Sequence, residues 1–363
     1  MEKNKKKRII CFFPTSKRYY GMGGAERRIP YIFSNLDNTK FDVTILFQVY
    51  DGQSEKILKD IKKYINSNTK IVFIKGYLKI LIYLIKQKFD WVCYTDCIIR
   101  STVVIIGAIL SGSYRLMMSV TTTNSKLIFK SRIEKMLFKV NVLLSNQIDC
   151  LYPSSINILK KAFPQKKISL TPCTLSNMQE CIPSTKKRNY IVFAGRLVDG
   201  KGIELFVDAI FAIKEVIRKN EYLCVICGDG PLKSIIEAKV QNYNITDIVK
   251  VKGYTNVRKI LSEAKIFCSL QNVNNYPSQS LLEAIACGCY CIATNVGDTE
   301  NIIDPSFGEL IDADKKSLAN ALLTAISFEN DKWEDISKKA SKYAISNFDL
   351  KNAVNHFEEL FQK

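Results

Sequence analysis

Between Asn275 and Gly288 the chain sets an amide, a tyrosine, a proline, three hydroxyl or amide side chains and a carboxylate in close succession. The apolar run Ile266–Leu270 reads as a buried strand, and it feeds a loop of turn-forming composition, Asn275-Tyr276-Pro277-Ser278. From Ser278 the pattern predicts a helix that stops at Gly288, a natural C-cap. A second strand is predicted over Tyr290–Thr294, ending in Asn295-Val296-Gly297-Asp298. A helix N-terminus beyond the carboxyl end of a parallel strand offers backbone N–H groups and the positive end of a dipole, which suits phosphate. Glu283 lies about one and a half turns into that helix, within reach of a hydroxyl on the same ligand. The implied chemistry is a grip on a molecule that carries both phosphates and sugar hydroxyls.

Further loops follow strand-like runs. Phe193-Ala194-Gly195-Arg196-Leu197-Val198-Asp199-Gly200-Lys201-Gly202 places two cations five residues apart, a spacing that can clamp a pyrophosphate. Arg supplies a fork of donors and Lys a point charge. Their value would be to offset negative charge growing on a departing diphosphate, although a solvated basic loop has the same composition. Cys227-Gly228-Asp229-Gly230-Pro231-Leu232 reads as an architectural strand-to-helix turn with Pro at the helix start. Val251-Lys252-Gly253-Tyr254 could pass its backbone along a nucleobase or be an ordinary strand end. Near the amino terminus, the glycines of Gly21-Met22-Gly23-Gly24-Ala25-Glu26 would let N–H groups approach a phosphate, or simply make a tight turn.

Parallel sheets covered by helices are needed to hold such loops, and strand-like and helix-like segments do alternate from end to end. The first half predicts strands at Arg8–Phe13, Phe41–Val49, Lys70–Ile74, Trp91–Tyr94, Leu116–Thr121, Cys150–Tyr152 and Ile168–Thr171, with helices such as Ser54–Ile65 and Ser125–Lys139 between them. Thr171–Asn189 loses periodicity and holds two Pro and a Lys-Lys-Arg cluster, the composition of a linker. Strands resume at Tyr190–Ala194, Tyr222–Cys227, Ile248–Lys252, Ile266–Leu270, Tyr290–Thr294 and Glu309–Ile311. After Lys315 the pattern is helical, with a break at Asn347-Phe348-Asp349 and a terminal helix over Leu350–Phe361. The reading is an α/β chain with a first domain over 1–172, a linker over 173–188, a second domain over 189–346 and a terminal helix, 347–363, returning to the first.

With 363 residues and 47% apolar content the chain can fill two cores. Charges interrupt every apolar stretch of about 18 residues, so no spanning helix is predicted. Met1–Arg8 is basic, but Ile9–Phe13 is too short for a signal-peptide core and runs into Pro14, so a cytoplasmic product is expected. Twelve cysteines fit that compartment. Cys224 and Cys227, like Cys287, Cys289 and Cys291, fall in or beside predicted buried strands and read as core filling rather than metal ligands.

The net charge of +18 belongs to one half: residues 1–180 hold 30 Lys and Arg against 12 Asp and Glu, whereas 181–363 hold 23 of each. That half should meet something anionic. Aromatic-basic stacking and helix-turn-helix signals are missing, so nucleic acid is not expected, and peripheral contact with the anionic inner face of a membrane is. Tyr77–Gln87, very apolar between Lys75, Lys79, Lys86 and Lys88, reads either as a half-buried helix of the first sheet or as a segment lying in a membrane interface. Arg18, Arg27, Arg28 and the Lys126–Lys139 stretch add further cations.

Taken in order, these loops and the Asn275–Gly288 stretch resemble glycosyltransferase family 4, the retaining GT-B enzymes that use nucleotide-diphosphate sugars. The resemblance is strong over roughly residues 190–330 and rests mainly on Gly23-Gly24-Ala25-Glu26 in the first half. It implies a GT-B architecture: two Rossmann-like domains facing across a cleft, the donor held mainly by the second, and the C-terminal helix packing back on the first. By motif, Arg196 and Lys201 would hold the diphosphate and Glu283 would accept from the ribose hydroxyls. The backbone amides of Ser280 and Leu281, beside Ser278 and Gln279, would face phosphate. Gly253 and Tyr254 would pass along the base, and Gly23 and Gly24 would close over the donor from the other domain. The implied donor is a UDP- or GDP-sugar, without metal or other cofactor, because Arg, Lys and helix dipoles take that role. The implied acceptor is a glycan or a lipid-linked molecule, as in surface polysaccharide or lipopolysaccharide biosynthesis at the inner membrane face.

Two positions depart from the family pattern. Asn275 stands where a second glutamate usually lies eight residues before the helix one, although Asn-Tyr-Pro-Ser-Gln-Ser-Leu-Leu-Glu resembles a recognised branch. An amide can bond sugar hydroxyls but offers no negative charge to an oxocarbenium-like centre. Many members also place a histidine near the donor sugar in the first domain. The corresponding stretch here is Ser119-Val120-Thr121-Thr122-Thr123-Asn124, of which Thr121, Thr122 and Asn124 are candidates for an acceptor or sugar pocket. The one histidine, His356, lies in the terminal helix and is expected at the surface or in packing. The alternative to an enzyme is a degenerate GT-B protein that binds a nucleotide sugar or a partner without turnover.

Overall fold

β1 (Lys7–Pro14) sends Ile9, Cys11 and Phe13 into one core and Ile10 and Phe12 into another. Both faces of the strand are therefore covered, which is why its sequence is a continuous apolar run rather than an alternation. The computed structural model describes residues 5–15, 24–96, 98–120, 129, 131–175 and 178–362. Two compact units divide the chain: Met1–Thr174 with Leu350–Lys363, and Leu175–Asp349.

In the first unit β1 is followed by α1 (Gly24–Ser34), β2 (Phe41–Gln48), α2 (Ser54–Ile61), β3 (Lys70–Ile74), α3 (Tyr77–Gln87) and β4 (Trp91–Thr95). Then come α4 (Ile98–Leu110), β5 (Tyr114–Ser119), α5 (Arg132–Leu144), β6 (Gln147–Cys150), α6 (Pro153–Ala162) and β7 (Lys167–Leu170). The strands form a seven-stranded parallel sheet in the order β3-β2-β1-β4-β5-β6-β7.

The second unit runs β8 (Arg188–Ala194), α7 (Ile203–Ala212), α8 (Lys214–Lys219), β9 (Leu223–Cys227), α9 (Lys233–Asn242), β10 (Val249–Gly253) and α10 (Val257–Glu263). It continues with β11 (Ala264–Ser269), α11 (Gln279–Ala286), β12 (Tyr290–Thr294), β13 (Gly308–Ile311), α12 (Lys315–Ile326) and α13 (Asn330–Phe348). Its six strands are also parallel, in the order β10-β9-β8-β11-β12-β13. Cys224, Cys227, Cys289 and Cys291 are buried within this sheet or at its margin.

α14 (Leu350–Gln362) belongs to the first unit. It buries Ala353, Phe357, Leu360 and Phe361, one apolar stripe at helical spacing. Phe357 and Phe361 lie 4.9 and 5.7 Å from the ring of Phe33, and Phe361 lies 5.2 Å from Trp91. His356 does more than pack: its Nε2 is 2.7 Å from Oδ1 of Asp149, a fully enclosed carboxylate of β6. Asp149 also accepts from Ser169 Oγ at 2.6 Å and from the Thr171 hydroxyl, so its desolvation is offset by three partners.

Some element boundaries differ from the sequence reading. The strand expected at Cys150–Tyr152 lies at Gln147–Cys150, because Pro153 starts α6 and Tyr152 is already its cap. Gln147 and Asp149 are buried in it, and their polarity hides the strand from a hydropathy pattern. Of the helix expected over Ser125–Lys139, residues 125–128 and 130 lie outside the described residues; its later part is α5, capped by Ser131 Oγ accepting from Glu134 N at 3.1 Å and running on to Leu144. The helical tail is interrupted at 327–329 as well as at Asp349. Among the described residues no helix is long and apolar enough to cross a membrane.

The two tryptophans, Trp91 and Trp333, fall one in each unit. In a Trp333→Phe background, Trp91 fluorescence during urea unfolding should report the first unit alone. Phe357→Ala is expected to shift that transition to lower urea, by about 3–5 kcal/mol for a large buried ring removed from a packed core.

Candidate functional site

Because the strands of the second sheet are parallel, their carboxyl ends share one edge. Between β8 and β11 the strand order reverses direction, the switch point at which such sheets bind ligands. The loop after β8 is pinned on both sides. Towards β9, Gly195 N donates to Cys227 O at 3.0 Å, Leu197 N to Asp229 O at 2.9 Å, and Leu232 N to Leu197 O at 3.0 Å. A Cβ at Gly228 would overlap the Gly195 carbonyl oxygen, so only glycine allows this approach. Towards β11, Asn272 N donates to Gly200 O at 3.1 Å. Gly202, at φ +77, abuts the Leu270 carbonyl where a side chain would collide. The turn holding Pro231 gives two more residues before α9 begins at Lys233, later than the sequence pattern places it.

Arg196 and Lys201 stand on this pinned loop, Arg196 exposed and Lys201 half-buried. The Lys201 ammonium is held below the usual lysine range, first by burial and then by repulsion from the Arg196 guanidinium. Two cations close enough to repel one another are relieved by an anion placed between them.

Ser278 caps α11 in an extended conformation and is buried. The first ladder bond of the helix is Leu282 N to Ser278 O at 3.0 Å, so the amides of Gln279, Ser280 and Leu281 precede the ladder, as in any helix start. The Ser278 and Ser280 hydroxyls are 3.4 Å apart. At its other end α11 closes before Gly288, with Cys289 N donating to Ala284 O at 3.0 Å. Asn275 Nδ2 donates to Oε1 of Gln271, a buried amide, at 3.3 Å. Asn274 Nδ2 donates to Asp298 Oδ2 at 2.8 Å, and Thr294 Oγ1 to Gln271 O at 2.5 Å. This belt, which ties the β11 loop to the β12 loop, was missed from sequence, although a cluster of Gln and Asn at a strand end was a signal for it.

Glu283 is not a lone acid. Its Oε1 accepts from Arg258 Nε at 3.0 Å, both side chains being largely enclosed, and Arg258 Nη1 also bonds Glu180. Sequence reasoning overlooked Arg258, whose partners lie 25 and 78 positions away and leave no local pattern. Gly253 ends β10 and its carbonyl accepts from Gly228 N at 2.8 Å, while the Tyr254 side chain is 90% exposed just beyond.

Arg196, Lys201, Gly253, Tyr254, Asn275 and the start of α11 therefore share one edge of the second sheet, with Glu283 one turn further along the same helix. Gly24 opens α1 in the first unit. Gly23, Thr121, Thr122 and Asn124 lie outside the described residues. Among the described residues no cluster of three or more His, Cys, Asp or Glu gathers in a ligating arrangement. Chemically, the edge combines two cations and the N–H groups of a helix start with a carboxylate able to accept more than one hydrogen bond.

Residues 177–344 match the family model for Glycosyl transferases group 1. The chain is 26% identical over 237 residues to the Campylobacter jejuni GalNAc-alpha-(1->4)-GalNAc-alpha-(1->3)-diNAcBac-PP-undecaprenol alpha-1,4-N-acetyl-D-galactosaminyltransferase, covering 64% of this chain and 64% of that protein. It is 27% identical over 177 residues to the Phosphatidylinositol N-acetylglucosaminyltransferase gpi3 subunit of Schizosaccharomyces pombe, covering 47% of this chain and 38% of that one. The match thus spans less than two thirds of either relative. Among solved structures, Anabaena HepE in complex with UDP aligns with a TM-score of 0.77 at 13% identity, over 98% of this chain and 99% of that one. A glycosyltransferase from Rickettsia africae aligns at 0.73 and 15% identity, over 98% of each. Likeness at this level of identity establishes the fold. Residues 177–344 are thus a glycosyl transferases group 1 domain, set in a chain with the GT-B fold.

Proposed function

We propose that the protein is a retaining hexosyltransferase of glycosyltransferase family 4 that moves a sugar from a UDP- or GDP-sugar to a glycan or lipid-linked acceptor. The observation that carries this reading is the shared edge: the Arg196–Lys201 loop and the start of α11 flank one switch point, with a carboxylate on the same helix. In this proposal Arg196, Lys201 and the amides of Ser280 and Leu281 hold the diphosphate, aided by Ser278 and Gln279. Glu283, steadied by Arg258, accepts from the ribose hydroxyls. Gly253 and Tyr254 border the base, and Asn275 bonds the donor sugar.

The acceptor hydroxyl attacks the anomeric carbon on the face the diphosphate leaves. The carbon–oxygen bond to phosphate breaks as the new glycosidic bond forms, and a phosphate oxygen takes the hydroxyl proton. No protein nucleophile is required, and catalysis rests on positioning and on stabilising the departing charge. Arg196, Lys201 and the helix dipole supply that charge without a metal. The undecaprenol diphosphate and phosphatidylinositol in the relatives' names support a lipid-linked acceptor, and so a place in surface polysaccharide or lipopolysaccharide assembly. The basic first half supports work at the cytoplasmic face of a membrane, held there peripherally.

The test is release of nucleoside diphosphate from UDP- and GDP-sugars in the presence of lipid-linked and glycan acceptors. Lys201→Ala should lower kcat roughly a hundred- to a thousandfold, the size of effect seen when a charge-stabilising donor is removed. Tight nucleotide-sugar binding with no turnover on any acceptor would overturn the proposal in favour of a degenerate binding protein.

The lowered Lys201 pKa gives a pH signature. The cationic form is the one that holds diphosphate, so kcat/KM should be full below the free-enzyme pKa and fall as pH rises through it. That alkaline limb should lie at lower pH than an ordinary lysine would place it, and Lys201→Arg should remove it. Arg258→Ala should raise the donor KM about tenfold with a smaller change in kcat, as expected when a half-buried acceptor loses its partner at a cost of ~1–3 kcal/mol. Arg258→Lys should recover part of it, and equal losses in KM and stability without the kinetic split would assign Arg258 to architecture alone.

A further inference from the structure

The first unit carries a surface that the donor site does not use. α3, α4 and α5 pack side by side. Gly107 of α4 leaves room for Leu84 of α3, and Thr102 of α4 donates to Asn141 of α5 at 3.0 Å. On their inner side Ile80, Leu84, Val104, Ala108, Phe138 and Val142 join one core. An ordinary surface helix turns charge to its outer side. These three turn aliphatic side chains outward as well.

On α4 the outer stripe is Ile99, Ile106 and Leu110, with Ile99 67% and Leu110 62% exposed. On α5 it is Ile133, Met136, Val140 and Leu143, at the three-and-four spacing of a single helix face. Leu78 and Ile82 continue it on α3, Leu78 being 69% exposed. Neighbouring stripes on packed helices make a contiguous apolar field, far more than the scattered single residues of a typical surface.

The charges around the field are predominantly positive. Lys79 and Lys86 on α3, Arg100 on α4, and Arg132, Lys135 and Lys139 on α5 stand against a single acid, Glu134. Arg100 is turned aside to the Thr15 carbonyl at 2.7 Å, which leaves the outer stripe of α4 without charge. An aliphatic field bordered by cations matches a layer that is apolar beneath and anionic above, the interface of an acidic phospholipid bilayer.

We propose that α3, α4 and α5 form a membrane-docking face that sinks these aliphatic side chains into an anionic bilayer interface while the flanking Lys and Arg meet the headgroups. This deepens the membrane reading given above and rests on it. It assigns the contact to a defined face and to burial of apolar surface as well as to long-range attraction, and it is independent of the donor chemistry.

The test uses the full chain with vesicles of equal parts phosphatidylglycerol and phosphatidylcholine, and a variant carrying Ile99→Ser, Ile106→Ser, Leu110→Ser and Leu143→Ser. The protein should float with the vesicles, and the variant should partition at least about tenfold more weakly, given the apolar area it removes. Its nucleotide release without vesicles should be unchanged. A separate Leu110→Trp variant should show a blue-shifted emission on these vesicles, which reads insertion without relying on the fourfold change. Equal flotation of protein and variant, no blue shift, or binding abolished by salt and indifferent to the serines would overturn the docking face. So would a wild-type dimer in the absence of lipid that the serines dissociate, since the field would then cover a second copy. Vesicle binding with no sugar transfer would overturn the enzymatic reading and leave the docking face standing.

Discussion

At Gly202 and Gly228 the main chains of neighbouring loops approach so closely that no Cβ fits between them. The loop after β8 is thereby fastened to the β9 loop on one side and to the β11 loop on the other, backbone against backbone. Side chains on such a loop gain a fixed origin. Arg196 and Lys201 need not be rigid themselves, because the segment that carries them has little freedom to move. Preorganised charge is worth more than mobile charge, since nothing must reorganise when a ligand arrives. The same fastening sets the start of α11 beside that loop, through Asn272 and the Gln271, Asn274 and Asp298 belt.

The electrostatics follow from this geometry. Residues 181–363 hold as many acids as bases, so attraction for an anion has to come from local placement rather than from net charge. Lys201 is partly desolvated and next to Arg196, both of which disfavour its charge until an anion is present. Glu283 shows the opposite case. A carboxylate beside a helix that favours phosphate would repel the ligand, but Arg258 offsets its charge and fixes its orientation while leaving it able to accept further hydrogen bonds. The first half of the chain is arranged differently, with its positive excess spread over helix surfaces, where it acts at longer range.

Apolar strands were the most legible features. Lys70–Ile74 and Tyr290–Thr294 were read to the residue because an apolar run bounded by turn formers has few alternatives. That Arg196 and Lys201 share a loop at a strand's carboxyl end, and that α11 starts after Ser278, was legible for the same local reasons. Contacts made across the fold were not. Asp149 disguised its strand because its partners, Ser169, Thr171 and His356, come from other elements, one of them more than two hundred positions away. Arg258 was silent in the same way. The outward stripes of α4 and α5 were invisible too, since hydropathy marks a helix as apolar without saying which of its sides faces water.

α14 has a consequence for the newborn chain. The stretch 1–174 leaves the ribosome before Leu175–Asp349 does, yet aromatic rings that complete its interior, Phe357 and Phe361, are made after both. Leu175–Asp349 holds its own core and is continuous in sequence, so it can mature while still tethered to the translating ribosome. The usual amino-to-carboxyl sequence of maturation is then inverted: the unit begun earlier is sealed later, once α14 has been made.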